Sequence, residues 1–325
     1  MIPKSSAQKQ GRQNAPATGD QHVAILLSTY NGEEFLNEQL DSLAQQTHKN
    51  WTIYASDDGS NDSTTRILAS YRQRIGEDRL HIFEGPQLGF AANFLSLVRR
   101  EEIQASYFAF CDQDDIWAPR RLESGITWMN NLPQDRPGLY CSRTSLIDAS
   151  GAPIGTSPLF AKRPCFKNAL VQSIAGGNTM LLNNAARDLL KKTSIDTKII
   201  SHDWWAYILI TGCGGDVHYS NEPTIYYRQH DRNIIGSNID IKDRIARFRK
   251  LLRGSFREWN NVNLSAISSL KSELTQDNLR TLDLFEKSRQ ANLFNRLYLL
   301  QQSGVHRQNI LDTLGLVVAT ILKRL

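Results

Sequence analysis

Ser106-Tyr107-Phe108-Ala109-Phe110-Cys111 runs without a break into Asp112-Gln113-Asp114-Asp115-Ile116-Trp117, and the reading of this chain turns on that stretch. The first six residues are a short aromatic and apolar run, the pattern of a buried strand. The next four hold three carboxylates, which repel one another and force at least one pKa upward unless a cation is present. A hard divalent ion such as Mg²⁺ or Mn²⁺ relieves that conflict and prefers oxygen ligands. The same residues would also serve as a solvated acidic turn capping a helix that starts near Pro119.

Working outward, the same rhythm recurs. His22 to Ser28 (HVAILLS), Trp51 to Ser56 (WTIYAS) and Leu80 to Glu84 read as buried strands. Between them, Glu33 to Gln46 carries Leu36, Leu40 and Leu43 on one helical face, Ser63 to Arg74 reads as a helix, and so does Phe90 to Arg100. Strands separated by helix-length segments predict an α/β fold, a Rossmann-like and mostly parallel sheet flanked by helices. Ligands of such sheets sit beyond the carboxyl ends of the strands. Three polar clusters lie there: Ser28-Thr29-Tyr30-Asn31, Asp57-Asp58-Gly59-Ser60 and Asp112 to Asp115. Further on, Gly138 to Arg143, Asn178 to Leu182 and Thr224 to Arg228 read as strands, and His202 to Thr211 as a buried helix. Asp148 to Gly151 reads as a turn.

At 325 residues, 40% hydrophobic and 22% charged, the chain has the composition of a soluble globular protein with room for one large domain and an appendage. Met1 to Gln21 is polar, lacks a hydrophobic core and reads as a disordered lead-in, not a signal peptide. Residues 22–237 form the expected catalytic domain and 238–325 a basic helical extension. From Ile241 onward there are fifteen Lys/Arg against seven Asp/Glu, a balance of +8 within a net +5, so the body carries −3. Cys111, Cys141, Cys165 and Cys213 are irregularly spaced with no CxxC pair, which favours buried thiols in a reducing cytoplasm over disulfides or zinc.

Asp57-Asp58-Gly59-Ser60 suits a turn with a helix cap, and equally a carboxylate that accepts a hydrogen bond from a base N–H or a ribose hydroxyl. Asp203 sits in His202-Asp203-Trp204-Trp205, far along the chain from the acidic cluster. An acid there suits the first turn of a helix, and a helix N-terminus would also project it into a cleft. Gly176-Gly177-Asn178 either lets a ligand approach the backbone closely or makes a tight turn before a strand.

In order and spacing, Ser28-Thr29-Tyr30-Asn31-Gly32, Gln45-Gln46-Thr47, Asp57-Asp58-Gly59-Ser60-Asn61-Asp62 and Phe110 to Trp117 resemble the family 2 inverting glycosyltransferases of the GT-A fold. Gly176-Gly177-Asn178, His202 to Trp205 and Tyr227-Arg228-Gln229-His230 look most like the bacterial rhamnosyltransferase-like branch. The resemblance covers roughly residues 22 to 235. It implies that a sugar, rhamnose or one like it, moves from a dTDP- or UDP-linked donor to a carbohydrate or lipid-linked glycan acceptor in surface-polysaccharide synthesis. By that resemblance Ser28, Tyr30, Asp57, Asp58, Asn93 and Asp112 face the donor, with Tyr30 against the base. Asp114 is the metal ligand, His230 a further metal or phosphate contact, and Asp203 the catalytic base. Trp204, Trp205, Gly177 and Asn178 are the acceptor-side candidates.

Elementary chemistry agrees with this division. Inversion needs a base for the acceptor hydroxyl and, across the sugar from it, a cation for the departing diphosphate, here Mg²⁺ or Mn²⁺. A nucleotidyltransferase or a nucleotide-sugar hydrolase could use the same acidic cluster. A P-loop is missing, which argues against kinase-like chemistry, and the acidic body argues against nucleic acid as partner. In the tail, Arg244, Arg247, Arg249, Lys250, Arg253 and Arg257 are threaded with Ile245, Phe248, Leu251, Leu252 and Phe256. Leu316 to Leu325 (LVVATILKRL) is a second cationic-apolar segment. Both fit a peripheral contact with the inner face of an anionic membrane, or packing on the catalytic domain or a second copy in a homodimer.

Overall fold

The computed structural model describes residues 21–230 and 255–325. Nearly all of the expected lead-in, the boundary near residue 237 and the run from Arg244 to Arg253 lie outside the described residues.

Strands β1 (Val23–Thr29), β2 (Trp51–Asp57), β3 (Leu80–Glu84) and β4 (Tyr107–Cys111) alternate with helices α1 (Leu36–Ala44), α2 (Thr64–Ile75) and α3 (Phe90–Arg99). They pair in parallel, β3 on β2, β2 on β1 and β1 on β4, with Thr29 opposite Asp57 and Leu27 opposite Cys111. That register brings the ends of β1, β2 and β4 to one edge.

Beyond β4 come β5 (Ile116–Trp117), α4 (Arg121–Met129), β6 (Gly138–Ser142), β7 (Ser145–Ile147) and β8 (Pro153–Thr156). They are followed by α5 (Phe166–Ala169), β9 (Leu181–Asn183), α6 (Asn184–Lys191), α7 (His202–Gly212), β10 (Asp216–Ser220) and β11 (Ile225–Arg228). The main sheet has seven strands in the order β10-β6-β9-β4-β1-β2-β3, and β9 alone runs antiparallel to its neighbours. A second, four-stranded sheet, β5-β11-β7-β8, lies beyond the acidic cluster. The expected turn at Asp148 to Gly151 joins β7 and β8, which pair antiparallel.

The two-residue period of a strand sorts the core into two layers. Ala24 and Leu26 of β1 pack with Phe94, Leu97 and Val98 of α3 and with α6 and α7. Val23, Ile25 and Leu27 pack on the other face with Leu36, Leu40 and Leu43 of α1, Leu68 of α2 and Leu122 and Ile126 of α4. Helix α7 is apolar all round, and every residue from His202 to Gly212 is buried. Where a strand over Asn178 to Leu182 was expected, Gly177–Thr179 form one 3₁₀ turn and the strand starts at Leu181. The polar groups of Asn178 are needed elsewhere, as described below.

The last four helices are α8 (Ser255–Ser268), α9 (Gln276–Gln290), α10 (Leu293–Ser303) and α11 (Ile310–Ile321). Their Ile267, Leu282, Phe285, Leu300 and Leu316 belong to the same apolar cluster as α7. Thr275 N–H donates to the Gly212 carbonyl at 3.1 Å. Asn278 Nδ2 donates to the carbonyls of Thr211 and Gly212, each at 3.0 Å. The helical extension is thus packed onto the end of α7. Among the described residues, no helix is long and apolar enough to cross a membrane.

Candidate active site

The parallel strand ends build one rim. At the end of β2, the Asp57 carboxylate accepts hydrogen bonds from Thr29 Oγ1 (2.8 Å), Ser60 N–H (2.9 Å) and Ser60 Oγ (2.6 Å). Asp58 accepts the backbone N–H of Gln87 at 2.7 Å and of Gly89 at 2.8 Å, so it fixes the loop that enters α3. Asn93, fully buried, donates to Ser28 Oγ and the Ser56 carbonyl, both at 2.8 Å, and accepts from Ser56 Oγ. Of the donor-side residues, Asp57 and Asn93 are thus spent on holding β1 and β2 in register, while Tyr30 is 56% exposed.

Gln113 explains how Tyr30 is held there. Its Oε1 accepts the Tyr30 N–H at 2.8 Å and its Nε2 donates to the Tyr30 carbonyl at 2.9 Å, so one side chain imitates a neighbouring strand. A Cβ at Gly32 would overlap the Gln113 carboxamide, which is why the turn needs glycine there. Gln113 carries no signal of its own in the sequence, because it stands among three acids with stronger chemistry.

Below the rim the acidic cluster divides its labour. Asp115 is fully buried; its Oδ1 accepts the Arg228 N–H at 3.1 Å and its Oδ2 accepts Asn178 Nδ2 at 2.5 Å. Burial, then the charges of Asp114 and Asp112, push its pKa well above the carboxylate range. Arg228 sends Nε to the Asp114 carbonyl (3.0 Å), Nη1 to the Ala149 carbonyl (2.8 Å) and Nη2 to Glu38 Oε2 (2.6 Å). Arg121 is also buried, over the Trp117 ring at 3.6 Å, and Nη2 donates to the carbonyls of Phe110, Asn178 and Met180. Its pKa falls to about 10 through burial, so it remains a cation at neutral pH. Neither arginine was foreseen as part of the site, because both act through carbonyls contributed by distant segments.

Asp112 and Asp114 complete the cluster. Desolvation, followed by the negative charges of Asp114 and Asp203, pushes the Asp112 pKa up to about 8. Asp114 Oδ2 lies 2.9 Å from His230 Nε2, in a pair whose side chains are 21% and 13% exposed. Phe35 packs on the His230 ring, with centroids 5.0 Å apart.

Asp203 occupies the first turn of α7, and its Oδ1 accepts the Trp204 N–H at 2.7 Å. The ring contact of the neighbouring His202 with Phe110, 4.7 Å between centroids, brings the N-terminus of α7 beside the end of β4. His202 is buried, stacked on Phe94 with centroids 3.9 Å apart and edge-on to Phe110 at 4.7 Å. Burial lowers its pKa to about 4, so its imidazole is neutral and structural.

The acceptor-side candidates require correction. Trp205 is fully buried and donates Nε1 to Thr193 Oγ1 at 2.9 Å. Trp204, 6% exposed, donates Nε1 to the Ala169 carbonyl at 2.7 Å. Both indoles belong to the core and offer no open face to a sugar. Asn178 is turned inward onto Asp115 and Arg121, and the group that approaches Gly177 closely is the His202 ring, with which a Cβ there would overlap.

The residues present suit a divalent cation. Among the described residues, no three His, Cys, Asp or Glu side chains converge as a ready metal cage. Asp114 and His230 form a half-open pair with Asp112 close enough to feel Asp114, and Mg²⁺ is commonly held by one or two carboxylates with phosphate oxygens completing its shell.

Residues 24–149, which carry the first three motifs and the acidic cluster, match the model for glycosyl transferase family 2. Over that stretch the chain is similar to the family. The dTDP-rhamnosyl transferase RfbG of Shigella flexneri is 27% identical over 239 residues, spanning 69% of this chain and 78% of that protein. An uncharacterized glycosyltransferase of Rickettsia typhi is 26% identical over 219 residues, 64% of each chain. Among solved structures, S. aureus TarS 1-349 in complex with UDP-GlcNAc aligns with TM-score 0.52 at 14% identity, covering 91% of this chain and 90% of that one. The mannosyltransferase PcManGT from Pyrobaculum calidifontis, in complex with GDP-Man and Mn²⁺, aligns with TM-score 0.50 at 14% identity, covering 94% and 86%. These likenesses establish the GT-A fold, and together with the matched segment they support glycosyltransferase function.

Proposed function

We propose that this chain is an inverting, metal-dependent hexosyltransferase that moves rhamnose or a similar sugar from a dTDP- or UDP-linked donor to a glycan acceptor. The observation that carries the reading is the packing of His202, next to Asp203 at the N-terminus of α7, edge-on to Phe110 of β4 with centroids 4.7 Å apart. It brings a carboxylate on the acceptor side close to the acidic cluster on the donor side.

In this reading the nucleoside lies at the exposed Tyr30 ring, between it and the loop fixed by Asp58, with Ser28 and Asp112 beneath. Asp57 and Asn93 act by holding the floor. Asp114 and His230 hold Mg²⁺ or Mn²⁺, which when bound supplies positive charge to the donor's diphosphate. Asp203 takes the proton of the acceptor hydroxyl as that oxygen attacks the anomeric carbon from the face opposite the leaving diphosphate. The buried His202 and Trp205 beside Asp203 keep the first turn of α7 rigid. The similarity to the Shigella dTDP-rhamnosyl transferase supports the choice of sugar and base. The role in bacterial surface-polysaccharide assembly and the cytoplasmic setting belong to the same proposal; the free cysteines suit a reducing compartment.

Thermal unfolding of the protein with dTDP, UDP and GDP, each with and without Mn²⁺, tests the donor side. The expected result is metal-dependent stabilisation by dTDP or UDP, lost in Asp114→Ala. Stabilisation that is equal without metal, or unchanged in Asp114→Ala, contradicts it.

A further inference from the structure

The outward face of α11 is apolar where a surface helix is normally polar. Ile310 and Leu311 are each 75% exposed, Leu314 56%, Val318 39%, Ile321 45% and the following Leu322 49%. At about 100° per residue these six fall within an arc of about 120° on the helix surface. No polar residue of the helix shares that arc. The side facing the protein carries Leu316, Ala319 and Thr320, all buried, so the helix is seated by one face and bare on the other. Its single charged residue, Asp312, lies off the bare stripe. Lys323 and Arg324, both exposed, follow at its C-terminal end. On α10, which packs beside α11, Phe294 is 84% and Tyr298 60% exposed.

We propose that the bare face of α11 docks the protein onto the surface of an anionic lipid bilayer. An in-plane helix of this kind buries its apolar stripe among the upper acyl chains and keeps cationic groups at headgroup level. Aliphatic side chains with no hydrogen-bonding demand suit that medium, and an aromatic residue with a polar tip, such as Tyr298, suits its boundary. Charge agrees with the lipid: beside the stripe lie Lys323 and Arg324, and residues 255–325 carry nine Lys/Arg against six Asp/Glu. Each cation near an anionic surface contributes to attraction within a Debye length. A second copy of the chain fits less well. The stripe lies on a 12-residue helix, about 18 Å long and about 10 Å wide, well short of the roughly 800 Å² per partner of a standard protein interface. The proposal is independent of the sugar and of the roles given to Asp114 and Asp203.

The test is co-sedimentation of the full chain with vesicles of phosphatidylcholine alone and of phosphatidylcholine mixed with phosphatidylglycerol, which makes the surface anionic. Alongside run Leu311→Glu/Leu314→Glu and Lys323→Glu/Arg324→Glu. These sites are exposed and outside the active site, so thermal unfolding should match the wild type. The expected result is salt-sensitive binding to the anionic vesicles, reduced at least about tenfold by either double variant. Wild-type protein that ignores the vesicles, or that binds them equally after both double substitutions, overturns the proposal. So does a concentration-dependent dimer that Leu311→Glu/Leu314→Glu dissolves while vesicle binding is unchanged.

Discussion

Asp112, at the end of β4, lies in the field of Asp203, on the first turn of α7, and that field helps hold the Asp112 carboxyl protonated to about pH 8. The His202 ring beside Asp203 packs edge-on to Phe110 of β4, so segments far apart in sequence meet here. Asp203→Asn removes one of the negative charges, so the Asp112 pKa should fall. Carbon-13 NMR titration of the Asp112 carboxyl in the metal-free protein checks this, and an unmoved midpoint would separate the two sites.

Gln113 clamps both backbone polar groups of Tyr30. Its removal should loosen the residue read as the base platform while leaving the core intact. With each hydrogen bond contributing about 1 kcal/mol, Gln113→Ala should weaken nucleoside-diphosphate affinity by about tenfold, as measured by calorimetric titration. Unchanged affinity would show that Tyr30 is not a donor contact or needs no clamp.

Gly177 has no room for a methyl group, because a Cβ would overlap the His202 ring, which is itself wedged against Phe94 and Phe110. Gly177→Ala should cost about 1–3 kcal/mol of stability, the usual range for overpacking a rigid core. Because α7 must shift to accept it, turnover should fall as well. Urea unfolding and initial rates measured together check both effects.

His202 is neutral in the folded protein, with its pKa lowered to about 4 by burial. An unfolded chain would bind a proton there near pH 6.5, so between these values the unfolded state holds more protons and stability falls as pH falls. The contribution is about 3 kcal/mol, fully present above pH 6.5 and lost on acidification toward pH 4. Asp112, whose folded pKa is raised, works in the opposite direction over the same range, so the total slope is not the readout. The stability difference between wild type and His202→Phe should therefore shrink in wild type's disfavour as pH drops from 7 to 4. A constant difference would mean that His202 is not buried as a neutral ring.

Most of the sheet and its rim could be read from local pattern. The buried strands and the polar clusters that end them are adjacent in sequence, and parallel pairing alone brings the clusters together. A strand was legible at β9 but its antiparallel pairing was not, since its partners lie far along the chain, and the edge strand β10 lacks a continuous apolar run. The braces of the site were missed for a related reason. Arg121 and Arg228 bond mainly to backbone carbonyls, which carry no sequence signal. Trp204 and Trp205 were misread because two indoles beside an acid look like a sugar platform. Only the enclosure of α7 on all sides, by the sheet and by the C-terminal helices, shows them to be core.

The most direct test of the account is a paired measurement on Asp203→Asn: donor affinity by titration and turnover by release of nucleoside diphosphate. A carboxylate that acts only on the acceptor proton predicts donor affinity within about twofold of wild type and turnover lower by roughly 10²-fold or more. Turnover close to wild type, or donor affinity lost together with activity, would contradict the role given to Asp203 and the arrangement of the site built around it.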